Sequence, residues 1–240
     1  MKHCLAALAA TIVVFSVSVS YAEPPAALTA ASITGKIGGP SYKMSGTHVD
    51  MHAVDRLMVE SEAGGKVMAG DTHRTLLDIL GKFSLDKDAP PEDSALAFIE
   101  RHRAAFGLKD PKSELKLEDN RTDKIHHTHL SFQQVYKGVP VWKSLFVVHI
   151  DKDSNIYHIV SGNVPTPDMD TTPGITDKKA LDIALADRSG SGKPSKTVAD
   201  LCIYDGKLAY HVRLDYYADY WEYFMDAATG GIIKKYSMKH

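Results

Sequence analysis

The sequence lacks several features that would assign its chemistry directly. Its 240 residues contain two cysteines, which are too few for a disulfide-stapled scaffold. Neither sign of charge dominates, because 28 Lys and Arg stand against 30 Asp and Glu for a formal net charge of -2. This balance excludes a broad basic footprint for nucleic acid or for an anionic membrane surface. With 44% hydrophobic and 24% charged residues, the composition is that of an ordinary globular protein.

Catalytic signatures are also missing. The chain contains no H-E-x-x-H or paired-cysteine zinc motif, no G-x-S-x-G elbow, no phosphate-binding loop and no dinucleotide fingerprint. Cys202 alternates with Leu201 and Ile203 in an apolar strand pattern, which favours a packed thiol over a reactive one. We therefore expect no catalytic residue, no cofactor and no enzymatic activity.

Twelve histidines raise the question of a metal site. The densest cluster is His126, His127 and His129, and on a strand His127 and His129 would point to the same face. Zinc would need two further ligands, and none can be assigned. We predict no metal site and interpret these side chains as half-exposed strand residues, although metal binding by His127 and His129 stays open. The same interpretation covers three more scattered histidines: His149, His158 and His211.

The first segment predicts a signal peptide. Lys2 supplies a positive start, residues 5–19 are almost wholly apolar, and Ser20-Tyr21-Ala22 offers small residues where signal peptidase reads them. The apolar run is shorter than the ~20 residues of a spanning helix, so cleavage after Ala22 is favoured over an uncleaved membrane anchor. We expect the mature protein to be secreted or periplasmic, with no membrane segment after cleavage and Cys202 as its single cysteine.

The remaining chain predicts an α+β fold made of two tandem units, each a helix packed on an antiparallel β-meander. Residues 23–54 are rich in Pro, Gly, Ala and Thr and are expected to be poorly ordered. The first unit then covers residues 55–162. A proline-rich linker is predicted at 163–174, and the second, smaller unit at 175–240.

Local patterns predict the elements of each unit. Residues 57–59 are expected to form a hairpin with Val67 and Met68, and Thr72 to cap a short helix that ends at Gly81. A longer helix begins at Pro90 and Pro91, and Thr176 caps the helix of the second unit. The predicted strands are 114–117, 125–136, 139–150 and 156–160 in the first unit, and 200–204, 207–214, 220–226 and 232–236 in the second.

The segment His129-Leu130-Ser131-Phe132-Gln133-Gln134-Val135-Tyr136-Lys137-Gly138-Val139-Pro140-Val141-Trp142 resembles the core of the FTP domain, the fungalysin/thermolysin propeptide module. That family has a strand ending in Gln-Gln, an aromatic residue, Gly-Val-Pro-Val, and then a second strand. The resemblance marks eight residues as family-motif positions: His129, Gln133, Gln134, Tyr136, Gly138, Val139, Pro140 and Val141.

The second unit is similar to a PepSY domain. Its segment Trp221-Glu222-Tyr223-Phe224-Met225-Asp226-Ala227-Ala228-Thr229-Gly230 resembles the PepSY signature of an aromatic strand, Asp-Ala and Thr-Gly. The motif positions are Trp221, Asp226, Thr229 and Gly230. Nearby, Tyr216, Tyr217 and Tyr220 belong to an aromatic run that is either strand packing or a binding surface, and they are our candidate partner-binding residues.

FTP followed by PepSY is the propeptide layout of thermolysin-like metallopeptidases, in which the propeptide assists folding of the protease and holds it inactive. This chain ends at His240, where the family's zinc protease domain would begin. The resemblance therefore implies an exported, non-catalytic protein that inhibits a thermolysin-like metallopeptidase in trans, assists its folding, or does both. Two alternatives stay open: a free-standing envelope module that binds a peptide or a metal, and a truncated metallopeptidase precursor.

Overall fold

The computed structural model describes residues 50–62, 64–69, 77–188 and 192–239. Among these residues the chain forms four α-helices: α1 (Met51–Val59), α2 (Pro91–Arg101), α3 (Pro111–Glu114) and α4 (Asp177–Asp187). It also forms ten strands: β1 (Lys66–Ala69), β2 (Leu77–Ser84), β3 (Leu115–Thr122), β4 (Thr128–Tyr136), β5 (Val139–Ile150), β6 (Asn155–Ser161), β7 (Lys196–Tyr204), β8 (Lys207–Asp215), β9 (Asp219–Asp226) and β10 (Ile232–Lys239). The predicted α+β class is confirmed.

One strand, β5, connects the two halves of the sheet. The strand order is β1-β2-β6-β5-β7-β8-β9-β10, with β4 also paired to β5 and β3 paired to β4. One edge of β5 pairs antiparallel with β4 along most of its length. The other edge is shared, because Phe146 to Ile150 pair with β6 while Val141 pairs in parallel with Ile203 of β7. The two meanders are therefore parts of one sheet.

The first hydrophobic core lies between α1, α2 and one face of β2, β4, β5 and β6. Phe98 and Ile99 of α2 are buried there, with the Phe98 ring centroid 5.3 Å from that of Phe83. On the strands, alternate side chains enter this core. They include Ile79, Leu130, Phe132, Phe146, Val148, Ile150, Ile156 and Ile159.

The second core lies between α4 and strands β7, β8 and β9. Ala180 and Ala184 are fully buried on α4, and such small side chains let the helix lie close to the sheet. The N-terminal part of β5 also enters this core through Val139 and Val141. The same strand thus contributes to the second core at its start and to the first core at its end.

Two helix starts follow the sequence rules. Pro91 begins α2, with Glu92 and Asp93 in the first turn, where acidic side chains suit the positive end of the helix dipole. The Thr176 hydroxyl accepts a hydrogen bond from the Lys179 amide at 3.1 Å, which confirms it as the N-cap of α4.

The predictions for residues 57–81 were wrong. Residues 57–59 end helix α1, whose N-cap Asp50 accepts from the His52 amide at 3.0 Å, and Val67 pairs with Ile79 instead. The described part of the predicted short helix, residues 77–81, lies in strand β2, because Leu77 and Ile79 alternate inward and β6 supplies the pairing edge. Thr72 lies outside the described residues.

Several N-terminal predictions fall outside what the structure describes. Residues 1–22, the predicted signal peptide, and residues 23–49 of the segment expected to be poorly ordered are not among the described residues. Residues 51–54 form the first turn of α1. In the part of the chain that is described, no helix is both long enough and apolar enough to cross a membrane.

The start of the predicted linker 163–174 is packed. Asn163 is fully buried, and its side-chain amide donates to the Phe106 carbonyl at 2.7 Å. Thr166 is also buried, and its amide donates to the Gly107 carbonyl at 3.0 Å. These bonds fasten the segment after β6 to the turn that follows α2. The domain boundaries themselves stay a prediction.

Replacement of Asn163 tests this attachment. Asn163→Ala leaves the buried Phe106 carbonyl without its donor, so we expect the free energy of unfolding to fall by about 1–3 kcal/mol. The exposed Asp168 in the same segment serves as the control, and Asp168→Ala should change stability by less than about 0.5 kcal/mol. Urea unfolding followed by tryptophan fluorescence gives the free energy of unfolding of both variants. Equal losses of stability would contradict the claim that the Asn163 hydrogen bond holds this segment in place.

Candidate functional site

Gln134 connects three parts of the chain around β5. Its side chain is fully buried, and its amide nitrogen donates to the Val164 carbonyl at 2.8 Å. Its carbonyl oxygen accepts from the Val164 amide at 2.9 Å and from the buried Ser144 hydroxyl at 2.8 Å. The side chain therefore pairs with Val164 as a neighbouring strand would, and it satisfies groups that would otherwise be buried without partners.

Gln133 supports an irregular part of β5. Its amide nitrogen lies 2.7 Å from the Val141 carbonyl and 3.1 Å from the Ser144 carbonyl. Between these two residues Lys143 has a φ of 53°, and the pairing of β4 with β5 shifts register between Gln133 and Val135. The glutamine side chain thus supplies donors where the regular ladder is interrupted.

The Lys137-Gly138 turn joins β4 to β5. Lys137 has a φ of 48° and Gly138 a φ of 82°, as a two-residue hairpin with left-handed backbone at both positions requires. Tyr136 packs against the second core, and Pro140 is exposed. The Gly-Val-Pro-Val motif therefore makes a tight turn and directs Val139 and Val141 into the second core.

A cavity of about 340 Å³ lies beside this turn, lined by Lys109, Asp110, Ser113, Glu114, Tyr136, Lys137, Gly138 and Thr166. The Glu114 carboxylate is buried and accepts hydrogen bonds from the amides of Lys109 and Asp110 at 2.9 and 2.8 Å. The Thr166 hydroxyl approaches it as well, at 2.7 Å. These contacts indicate that Glu114 serves to hold the loop before α3.

The PepSY-like signature also builds a turn. The Asp226 carboxylate accepts from the Thr229 amide at 2.9 Å and from the Ala228 amide at 3.0 Å, and these bonds lower its pKa, with the Thr229 amide contributing most. Gly230 is buried with a φ of 79°, and a Cβ there would lie 2.7 Å from the Ile183 side chain of α4. Trp221 packs against the second core, and its indole N–H donates to the Asp219 carboxylate at 3.0 Å.

The three candidate tyrosines lie in different environments. Tyr216 packs against the second core, with the Arg188 guanidinium 3.4 Å from its ring centroid. Tyr217 is fully exposed in the turn between β8 and β9. Tyr220 is half-buried, and its hydroxyl lies 3.1 Å from the Met238 sulfur. The structure does not bring the three rings into one patch, and their role in binding stays a prediction.

A larger aromatic cluster covers the face of the second meander opposite α4. Successive strand residues alternate between faces, so Ile203 and Tyr223 belong to the core under α4 while Cys202 and Phe224 lie opposite. Around Phe224, ring centroids lie between 3.9 and 6.2 Å apart. We call this cluster the aromatic face; its members are Trp142, Tyr204, His211, Phe224 and Tyr236.

Cys202 is packed, as its strand pattern predicts. It is the free, buried cysteine of the described residues, and burial raises the pKa of its thiol to about 12. The thiol therefore stays protonated at neutral pH and is a poor nucleophile. Cys202 packs beneath the aromatic face as a small apolar side chain.

His127 and His129, whose metal binding the sequence leaves open, do not lie on one strand face, because β4 begins at Thr128. Residues 123–127 make a turn instead of extending β4, and the His127 ring packs on Tyr157 with centroids 5.2 Å apart. His129 faces His149 of β5, and their Nδ1 atoms lie 2.6 Å apart. The sequence alone does not predict the contact of His129 with His149, because the contact depends on the register of β4 against β5. Among the described residues no three His, Cys, Asp or Glu side chains converge as a metal-ligand set.

Two family models match the chain. The model described as the Fungalysin/Thermolysin Propeptide Motif matches residues 113–162, and the model described as the Peptidase propeptide and YPEB domain matches residues 174–236. The first match contains the β4–β5 turn and both glutamines, although the Val164 partner of Gln134 lies just beyond it. The second contains α4, the meander β7–β9 and the Asp226 turn.

Relatives and solved structures give further matches. Bacillolysin of Bacillus subtilis subsp. amylosacchariticus is 31% identical over 165 residues, covering 61% of this chain and 31% of the relative. Thermolysin of Alicyclobacillus acidocaldarius subsp. acidocaldarius is 28% identical over 180 residues, covering 66% of this chain and 32% of the relative. The chain thus spans about a third of these relatives. The Bacillus megaterium YpeB C-terminal domain aligns with a TM-score of 0.33 and 12% identity, covering 79% of this chain and 96% of that domain.

Substitution at Gly138 tests the turn between β4 and β5. A Cβ at Gly138 meets no atom within 4 Å, so any loss comes from the backbone and not from a clash. We expect Gly138→Val to lower the free energy of unfolding by about 1–3 kcal/mol, because a β-branched residue is strained at positive φ. Gly138→Asn is the matched control and should lose clearly less, since Asn tolerates this conformation. Thermal unfolding measures the stability of both variants. Equal losses of stability in the two would contradict the claim that a β-branched residue is strained at this position.

Proposed function

We propose that this chain, which carries a fungalysin/thermolysin propeptide motif followed by a PepSY domain, binds a thermolysin-like zinc metallopeptidase without catalysing a reaction itself. The bound chain would inhibit the peptidase, assist its folding, or do both. The order of the two matched segments carries the proposal, together with the named relatives, which are bacillolysins and thermolysins. The sequence-based recognition of FTP followed by PepSY is confirmed.

The motif residues support this proposal as parts of the framework. Gln134 and the Lys137-Gly138 turn fix β5, while Asp226 and Gly230 fix the turn between β9 and β10. Gln134 and Gly230 are buried, so they cannot contact a partner directly. We therefore assign binding to the surfaces that these turns hold in place.

The aromatic face and the adjoining strand β10 supply a suitable surface. Tyr236 is 38% exposed and Met238 is 47% exposed, and both lie on the face that also carries Tyr220 through the pairing of β9 with β10. Aromatic residues and Met are enriched at the centres of protein interfaces. Strand β10 is also the last strand of the sheet order, so its outer edge can add a strand from a partner.

We further propose that the protein works outside the cytoplasm, in the periplasm or the medium. Support comes from the apolar N-terminal segment with small residues before its expected cleavage site after Ala22. A thermolysin-like partner of the kind named among the relatives would have to meet it there. The free-standing envelope module is the alternative function, and it predicts no interaction with a peptidase.

Titration against a purified bacillolysin or thermolysin tests the proposal. We expect the chain to slow peptide hydrolysis with a dissociation constant in the micromolar range or below, and to raise the yield when the denatured peptidase is refolded. Tyr236→Ala combined with Met238→Ala should weaken binding at least about tenfold, equivalent to about 1.4 kcal/mol. Because the Tyr236 ring also packs beside Phe224, circular dichroism must show that this variant keeps its fold.

A matched control distinguishes binding by the proposed surface from nonspecific hydrophobic association. Ile125 is 62% exposed in the turn before β4, so Ile125→Ala removes an exposed apolar side chain outside the aromatic face. This variant should bind as the unaltered chain does. Absence of inhibition, binding and refolding gain with every thermolysin-like peptidase of the same organism would reject the proposed function in favour of the free-standing module.

A further inference from the structure

Three histidines form a row across neighbouring strands of the first meander. His129 of β4 stands opposite His149 of β5, which stands opposite His158 of β6. The ring centroids of His129 and His149 are 4.9 Å apart, and those of His149 and His158 are 5.1 Å apart in a stacked arrangement. The side chains are partly exposed, with 17% for His129 and 27% for His158. The row is therefore open to small solutes.

A carboxylate holds each end of the row. The Asp123 Oδ2 atom lies 3.1 Å from Nε2 of His129, and the Asp78 Oδ1 atom lies 2.8 Å from Nε2 of His158. The Asp123 carboxylate also accepts hydrogen bonds from the amides of Ile125 and His127, both at 2.9 Å, which fix its orientation. When Nε2 of His129 donates to this carboxylate, Nδ1 is the ring nitrogen that can offer a lone pair.

That lone pair points at a second imidazole nitrogen. The Nδ1 atoms of His129 and His149 are 2.6 Å apart, so a single proton can lie between them. The two imidazoles thus share one hydrogen-bonding proton across a pair of neighbouring strands.

We propose that a divalent transition-metal ion, of the zinc or copper class, replaces this proton and binds to the Nδ1 atoms of His129 and His149. Neutral imidazole is a preferred ligand of these ions. Metal–nitrogen bonds of about 2.0–2.1 Å need the two atoms to separate to roughly 3.3 Å, a small rotation of either ring. The displaced proton moves from Nδ1 to Nε2 of His149, so the ring stays neutral.

Asp123 is the positioning residue of this site. A carboxylate that accepts from the far nitrogen of a metal-binding histidine fixes its tautomer and raises its basicity. Because no three-ligand set converges in the described part of the chain, the ion keeps open positions for water or for a donor from another molecule. This inference stands apart from the proposed peptidase binding, and it assigns His149, not His127, as the partner of His129.

Calorimetric titration of the full chain with zinc chloride, and electron paramagnetic resonance after adding copper(II), test the site. We expect one binding site and a copper spectrum with coupling to two imidazole nitrogens. His129→Gln and His149→Gln should each weaken binding at least tenfold. Asp123→Asn should weaken it by about 10–100-fold through the lost orientation of His129. His126→Gln, which removes an exposed histidine of the adjacent turn, is the control and should bind normally.

Binding in His149→Gln within threefold of the unaltered chain would overturn the proposal, as would a copper spectrum without two imidazole nitrogens. Circular dichroism of each variant shows whether it folds. If a variant does not fold, nitrogen-15 NMR of the unaltered chain replaces it. Zinc must then shift the ring nitrogens of His129 and His149, while a shift confined to other histidines rejects the site.

Discussion

The shared strand β5 is the constraint on which the rest of the structure depends. Its first residues, Val139 and Val141, are buried beneath α4 with the second meander, while Phe146, Val148 and Ile150 are buried with α1 and α2. A strand can serve two cores only if its twist, register and starting point are fixed. The Lys137-Gly138 turn fixes where β5 starts, and Gln133 and Gln134 fix its path past the irregularity at Lys143.

This arrangement separates framework from surface. The motif residues of both matched segments are mostly buried or hydrogen-bonded within turns, and they hold the strands in place. The features with chemistry available to other molecules are the aromatic face beside β10 and the histidine row of β4–β6, which shares only His129 with the motif residues. Both depend on strand register, because their members come from segments that are distant in sequence and adjacent only in the sheet.

The same distinction explains what the sequence could predict. The helices α2 and α4, the strands from β4 to β10 and the α+β class follow from periodicity and local turn chemistry. Residues 57–81 were misread because Leu77 and Leu80 also fit a helical spacing, and only the edge of β6 favours a strand. The contact of His129 with His149 and the double role of β5 require strand pairing, which no local pattern specifies. Family resemblance correctly identified the two modules but not how they join.

Differential scanning calorimetry of the chain tests the central claim that β5 makes one cooperative structure of the two modules. The account predicts a single unfolding transition, with a calorimetric enthalpy that equals the van't Hoff enthalpy. Val141 lies where β5 meets β7, so Val141→Ala should lower the temperature of that single transition without dividing it. Two separate transitions in the unaltered chain, one for each module, would contradict the account.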